Sequence, residues 1–266
     1  MFSLYKGAWI DDNPPHLTKK MTKNECRDLL RNGGYLVRNN YNFDTNQKTS
    51  FWYVVKDTFG GMDELSSRTR NKIRRSLKTY DIKRVATNDI LKFGLKIYNS
   101  ALEQYKVKAQ TISKEQFDNM IEKNAQDNRF QYWAVFEKET NTPVALSICI
   151  LHKDCCEYRT LKCIPSYLHN STYPYYGLFF EMNQYYLQDL KLLYVSDGAR
   201  SITEHSNIQP FLEEMFNFRK AYCNLQIEYK WWLGLAVKIL YPFRKILSLK
   251  KIQSLLRMEA MRRNEY

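Results

Sequence analysis

The sequence predicts an α/β fold of the α+β kind: a mixed, largely antiparallel sheet flanked by helices, followed by a C-terminal basic amphipathic helical tail. Three observations predict it. Strand-like and helix-like segments alternate in the order strand, helices, three strands, helix, strand, helix, strand. The three consecutive strands are joined by short turns, which makes them antiparallel neighbours. No internal repeat, low-complexity tract or linker interrupts residues 46–230, which read as one domain.

Residues 1–45 read as an N-terminal extension. They start irregularly, with Asp11-Asp12-Asn13-Pro14-Pro15 as a turn. Thr22 suits the N-cap of a short helix from Lys23 to Arg31, which Gly33-Gly34 ends. Tyr35 to Arg38 suits a strand.

Phe51-Trp52-Tyr53-Val54-Val55-Lys56-Asp57 is rich in β-branched and aromatic residues, and Gly60-Gly61 closes it. A helix over 65–78 follows, capped by Ser66 or Ser67, with Leu65, Ile73 and Leu77 as a thin apolar stripe. Its other faces carry Arg68, Arg70, Lys72, Arg74, Arg75 and Lys78 with no acid among them. Asp81 to Val85 suits a short strand. Leu91, Leu95, Tyr98, Ala101, Leu102 and Tyr105 give residues 90–106 a helical period. Ser113-Lys114-Glu115-Gln116 is a capping box that opens a helix to about Asn124.

The three strands are Tyr132 to Glu137, Val144 to His152 and Cys156 to Cys163, with turns at 140–143 and at Lys153-Asp154. A helix over 175–189, a strand over 192–197, a helix over 208–218 and a strand over 223–229 complete the domain.

The formal charge of +13 calls for an anionic partner: nucleic acid, a phosphorylated cofactor or a membrane surface. The start of the chain carries no signal-peptide pattern, and no run of about 18 apolar residues is present. The chain therefore reads as cytoplasmic. Cys26, Cys149, Cys155, Cys156, Cys163 and Cys223 follow neither a zinc spacing nor a disulfide framework, so buried thiols and no metal are expected. The 20 tyrosines offer amphipathic side chains for a groove, although most suit half-buried structural positions.

Residues 192–223 carry the candidate site. Leu192-Leu193-Tyr194-Val195 runs into Ser196-Asp197-Gly198, a polar loop follows, and a helical pattern then leads to Arg219-Lys220-Ala221-Tyr222-Cys223. A rigid strand that ends in a polar loop is where α/β chains place binding and chemistry.

With these landmarks the element order resembles the GNAT acyltransferase fold, and most closely its FemAB-like branch, relatives of the peptidoglycan aminoacyl transferases. The basic helix Ser66-Ser67-Arg68-Thr69-Arg70-Asn71-Lys72-Ile73-Arg74-Arg75-Ser76 fits the branch's S-x-x-x-R-x-x-I/L-R pattern. Tyr194-Val195-Ser196-Asp197-Gly198 is similar to its aromatic-Asp-x-Gly-Gly strand end. Its Phe-Lys-x-x-Phe-Gly helix end is matched by Phe218, Arg219, Tyr222 and Cys223, with Arg in place of Lys and Cys in place of Gly. The resemblance covers about residues 50–230. It implies that Arg219 steadies the donor's carbonyl oxygen. Ordinary GNAT enzymes also carry an R-x-x-G-x-G/A loop for the coenzyme A pyrophosphate; here Tyr173-Pro174-Tyr175-Tyr176-Gly177-Leu178 stands at that junction. The donor is then either acyl-CoA or an aminoacyl-tRNA.

Acyl transfer needs a base, an oxyanion stabiliser and oriented substrates. Asp197 is the first candidate base; its structural alternative is an Asx-turn with Gly198. His205 in the same loop is the second. Arg200 and Arg219 suit a phosphate or an oxyanion, with Arg200–Glu204 pairing as the alternative. Tyr222 or Tyr175 suits a proton donor. Glu181, Tyr176, Lys220, Arg70, Arg74 and Arg75 complete the candidate substrate-binding set, whereas Tyr185 and Tyr186 suit the core.

Residues 231–266 form the tail, with Trp and Leu on one side and Lys and Arg on the other. That pattern fits an interfacial membrane helix, a helix packed on the domain, or a dimer contact. Two functions follow as expectations. The first is an acyl or aminoacyl transferase acting on an amine or hydroxyl of an amino sugar or envelope polysaccharide precursor, in the cytoplasm or at the inner membrane face. The second is a non-catalytic basic module that binds RNA or an anionic membrane surface.

Overall fold

The computed structural model describes residues 2–103, 110–202, 208–247 and 249–265. The chain opens with an unexpected hairpin, β1 (Phe2–Tyr5) and β2 (Ala8–Asp11). Lys6 and Gly7 turn it with φ of 49° and 83°. Two successive positive φ angles are what a two-residue type I′ hairpin requires. Helix α1 (Lys23–Arg31) starts where expected, because Thr22 and Glu25 form a complete capping box. Strand β3 (Leu36–Tyr41) precedes β4 (Phe51–Lys56).

Helix α2 (Ser67–Thr79) is capped by Ser66, whose hydroxyl accepts from the Thr69 amide. It buries Thr69, Ile73 and Ser76 rather than Leu77, which is half-buried. Next come β5 (Tyr80–Val85), α3 (Thr87–Glu103) and α4 (Lys114–Ala125), the last opened by the predicted capping box of Ser113 and Gln116. The end of the helix expected over 90–106 lies outside the described residues.

The predicted meander is present as β6 (Phe130–Glu137), β7 (Pro143–Leu151) and β8 (Cys155–Cys163). A single turn, α5 (Pro165–Leu168), leads to α6 (Pro174–Asn183). The helix expected over 175–189 changes to π geometry from Gln184 to Asp189. Strand β9 (Tyr194–Ala199) starts and ends two residues later than expected, so Asp197 lies inside the strand. Helix α7 (Ile208–Phe216) stops two residues early because Asn217, at φ 56°, takes the left-handed conformation that ends helices. This lets β10 (Arg219–Tyr229) begin at Arg219 instead of Cys223. Helices α8 (Trp231–Leu240) and α9 (Lys250–Arg262) form the tail.

The chain divides into two compact units. One comprises the described residues within 1–54, 199–206 and 220–266. Here β1 and β2 are antiparallel, β2 and β3 parallel, and β3 and β10 antiparallel, from Tyr41↔Asn224 to Leu36↔Tyr229. Leu36, Phe51, Cys223, Leu225 and Ile227 pack against Met258 and Met261 of α9. Val237 and Tyr241 pack against Leu256 and Ala260, so the inner face of the tail is packed on protein. Glu259, 1% exposed, is held there by Arg262, Arg263 and the Tyr229 hydroxyl. All six cysteines are buried and none is in a disulfide.

The other unit comprises the described residues within 55–198 and 207–219. Its strands β5, β6, β7 and β8 pair antiparallel in sequence order, and β9 pairs parallel with β8. Helices α3 and α4 cover Tyr132, Leu146 and Ile148 through Ile90, Ile97, Phe117 and Ile121. Helix α2 crosses α6 closely enough that the Gly177 amide donates to Ser76 Oγ at 3.2 Å. A Cβ on Gly177 would lie 2.5 Å from both Ser76 Oγ and Ile82 Cδ1. Gly177→Ala is therefore expected to destabilise the fold by about 1–2 kcal/mol in urea denaturation. Helix propensity alone would stabilise it by about 1 kcal/mol, so the sign of the change tests the close approach.

Candidate functional site

Strands β8 and β9 are paired only from Cys155↔Tyr194 to Glu157↔Ser196. Beyond that point β8 continues to Cys163 on β7, while β9 continues through Asp197 to Ala199. A β-bulge marks the same place, since Ile148 faces Thr160 and Cys149 faces Tyr158, leaving Arg159 as the extra residue. Bulges bend a strand and re-aim its side chains. Two parallel strands that part at their carboxyl ends leave a crevice there, the usual place for a ligand in such sheets.

Tyr158 and Asp197 are the first residues past the last pair. Asp197 is half-buried, and burial of its carboxyl group raises the pKa to about 7. The Gln209 side chain, on α7, opposes that shift with a hydrogen bond, and the Glu157 charge adds to it. The turn role is taken by a neighbour: the Gly198 amide, at φ 87°, donates to Ser196 Oγ at 2.9 Å. A carboxylate titrating near neutrality is suited to accept a proton from a nucleophile.

Two residues that sequence reasoning missed extend the site: Tyr158, which feels the Asp197 charge, and Asn183, bonded to Tyr158. Burial raises the phenol pKa of Tyr158, and the Asp197 charge adds to that shift. Tyr158 donates to Asn183 Oδ1 at 2.9 Å. Asn183 is 1% exposed, and its Nδ2 has no partner among the described residues. It stands where α6 turns into the π segment, a distortion common at functional sites. No local sequence signal announces either residue.

The amino terminus of α6 is largely occupied. Pro174 has no N–H, the Tyr176 amide donates to Tyr173 O, and the Gly177 amide donates to Ser76 Oγ. A helix amino terminus binds anions through free amides, and those of Tyr176 and Gly177 are engaged. Tyr176 is buried against Phe211 and Phe216, and its hydroxyl accepts from Lys72 Nζ at 2.9 Å. Tyr175 is half-buried against Phe179. Glu181 is half-buried, and its pKa is raised by burial and then by Asp189.

Arg219 is held by Asp57, with Nε and Nη2 donating to Asp57 Oδ2 at 2.9 and 2.5 Å. Beside Asp57 in sequence, Lys56 is 2% exposed and ion-paired with Glu64 at 2.9 Å. Asn217 Nδ2 ties the same loop by donating to Glu64 O. On α2, Arg74 and Arg75 are exposed, whereas Arg70 turns back to the Leu65 carbonyl at 2.9 Å.

In the other compact unit three predicted residues meet on Trp52. The Arg200 guanidinium lies 4.2 Å from its ring centroid, and the Lys220 ammonium lies 4.7 Å away. Tyr222 packs edge-on at 6.0 Å. Arg200 also donates to the Ser50 carbonyl at 2.8 Å, an anchor not anticipated in the Glu204 pairing. Glu204 and His205 lie outside the described residues.

No family model and no curated protein matches this sequence. Solved structures do. The fold is the FemAB-like GNAT fold expected from the sequence. The crystal structure of FemX is 11% identical, with a TM-score of 0.51 over 67% of this chain and 60% of FemX. This chain thus spans about 60% of the length of FemX. The C-terminal DUF2156 domain of a putative lysylphosphatidylglycerol synthetase from Agrobacterium fabrum is 10% identical, with a TM-score of 0.55 over 90% of this chain and 84% of that domain.

The raised Asp197 pKa fixes a sign. A carboxyl that binds its proton more tightly folded than unfolded stabilises the fold below the ordinary carboxylate pKa, and this contribution is lost as pH rises through about 7. Asp197→Asn cannot ionise. Relative to the native chain it is expected to gain about 1–3 kcal/mol between pH 4 and pH 8 in denaturant titrations. A pH-independent difference would mean that the carboxyl is well solvated.

Proposed function

We propose that this protein is an acyl or aminoacyl transferase in which Asp197 is the general base. The reading is carried by one observation: a carboxyl with a pKa of about 7 where β8 and β9 separate. Asp197 accepts the proton of an amine or hydroxyl as that group attacks the donor carbonyl carbon. The new C–N or C–O bond forms, the bond to the carrier's oxygen or sulfur breaks, and the proton passes to the departing carrier. Arg219, steadied by Asp57, is the cation proposed for the developing oxyanion.

The engaged amides at the start of α6 favour an aminoacyl-tRNA over an acyl-CoA donor. The Fem-type resemblance and the exposed cations of α2 support the same choice. Trp52 with Arg200 and Lys220 offers an aromatic and cationic patch of the kind that stacks on a base and neutralises phosphate. An envelope precursor is the proposed acceptor class, at a cytoplasmic site. The name lysylphosphatidylglycerol synthetase, borne by one structural neighbour, likewise couples an aminoacyl group to a lipid.

The test offers radiolabelled aminoacyl-tRNA and acyl-CoA pools to the full chain with amine and hydroxyl acceptors. Acceptor-dependent consumption of the tRNA-borne group is expected, with kcat/KM rising through pH about 7. Asp197→Asn should lower it by about 10²–10⁴-fold. If neither donor is consumed while Arg74→Ala/Arg75→Ala weakens salt-sensitive RNA binding, the protein is a binding module.

A further inference from the structure

Helix α8 has an inner face packed on α9 and an outer row of exposed apolar side chains, of which Trp232 alone meets a described ring, Tyr35, edge-on at 6.0 Å. Trp231, Leu235 and Ile239, spaced i, i+4, i+8, are 81%, 54% and 58% exposed. Trp232 broadens the row at 45% exposed, and in the turn beyond the helix Phe243 and Ile246 are 55% and 82% exposed. From Lys230 to Leu247 the sequence contains no acid; Lys238 and Lys245 are exposed beside the apolar row. Arg244 is engaged by Glu265.

The start of this helix also forms one wall of an open groove of about 720 Å³. The other wall is α1, which contributes Lys23, Arg27 and Arg31, again at i, i+4, i+8. Lys230, Trp231 and Trp232 line the near side with Glu228, the groove's one acid among the lining residues. Arg31 additionally meets Asp28 at 2.9 Å on the exposed face of α1.

We propose that α8 and this groove form a membrane-docking face for an anionic lipid bilayer. The exposed row enters the interfacial region, where indole rings partition with one edge apolar and one edge wet. Lys23, Arg27 and Lys230 meet lipid phosphates at the same depth, and Lys238 and Lys245 lie along the surface. Charge selects this occupant over a second copy of the chain. Two such faces would bring lysines against lysines, with Glu228 as the only acid lining either groove, whereas a layer of lipid phosphates matches them. The inference is independent of the transferase reading, because its readout is binding.

The test is co-sedimentation of the full chain with vesicles of phosphatidylcholine alone and of phosphatidylcholine with phosphatidylglycerol, read alongside tryptophan fluorescence. Binding to the anionic vesicles with a blue-shifted emission is expected. Trp231→Ser/Leu235→Ser/Ile239→Ser, all exposed positions, should keep the native thermal transition and lose about ten-fold or more of the binding. Arg27→Ala/Lys230→Ala should lose a comparable factor and become less sensitive to salt. The proposal is overturned by failure to bind anionic vesicles or by full binding of the serine variant. It is equally overturned by a dimer in sedimentation velocity that the serine variant dissolves, or by preferential tRNA binding that Arg27→Ala/Lys230→Ala abolishes.

Discussion

The three-pair parallel ladder between β8 and β9 is the constraint on which the site depends. A parallel pair is held by evenly spaced slanted bonds, and here those bonds stop at Glu157↔Ser196. The bulge at Arg159 bends β8 along β7, and β9 continues to Ala199 without a further pair to β8. Tyr158 and Asp197 stand at the point of divergence. Had the ladder run on through Asp197, backbone pairing would have filled the space that a substrate needs.

Asp197 is costly there. A carboxyl deprived of water resists ionisation, and the fold offsets this only in part, through Gln209. The Glu157 charge works in the opposite direction. The nearby Asn183 amide carries a buried donor with no described partner, a second local cost. Such costs persist where the rest of the fold over-determines the geometry. The α2–α6 contact through Ser76 and Gly177 supplies that rigidity, together with the aromatic packing of Tyr158, Phe179 and Tyr186.

Much of the fold was legible because its signals are local. The capping boxes at Thr22 and Ser113 act over three residues, and the meander is written in apolar runs of strand length separated by short turns. The Lys6-Gly7 hairpin carries a weaker signal, because of its two positive φ residues only Gly7 is of a type that favours that conformation. Asp197, Arg200 and Lys220 were picked out by their position around a strand end. Trp52, Lys56, Tyr158 and Asn183 were not, because their roles arise from residues far away in sequence: Arg200 and Lys220 on Trp52, Glu64 on Lys56, and Tyr158 on Asn183. Tyr176 illustrates the converse. Its place in a distinctive junction suggested a ligand, while the structure gives its ring to Phe211 and Phe216 and its hydroxyl to Lys72.

The central claim is that the end of β9 presents a carboxyl poised to exchange a proton near neutral pH. The most direct measurement is a carbon-13 NMR titration of the aspartate carboxyl resonances, with Asp197 assigned by its disappearance in Asp197→Asn. A midpoint near 7 is predicted. A midpoint near the ordinary aspartate value of about 4 would contradict the account, because it would mean a solvated carboxylate with no reason to act as a base.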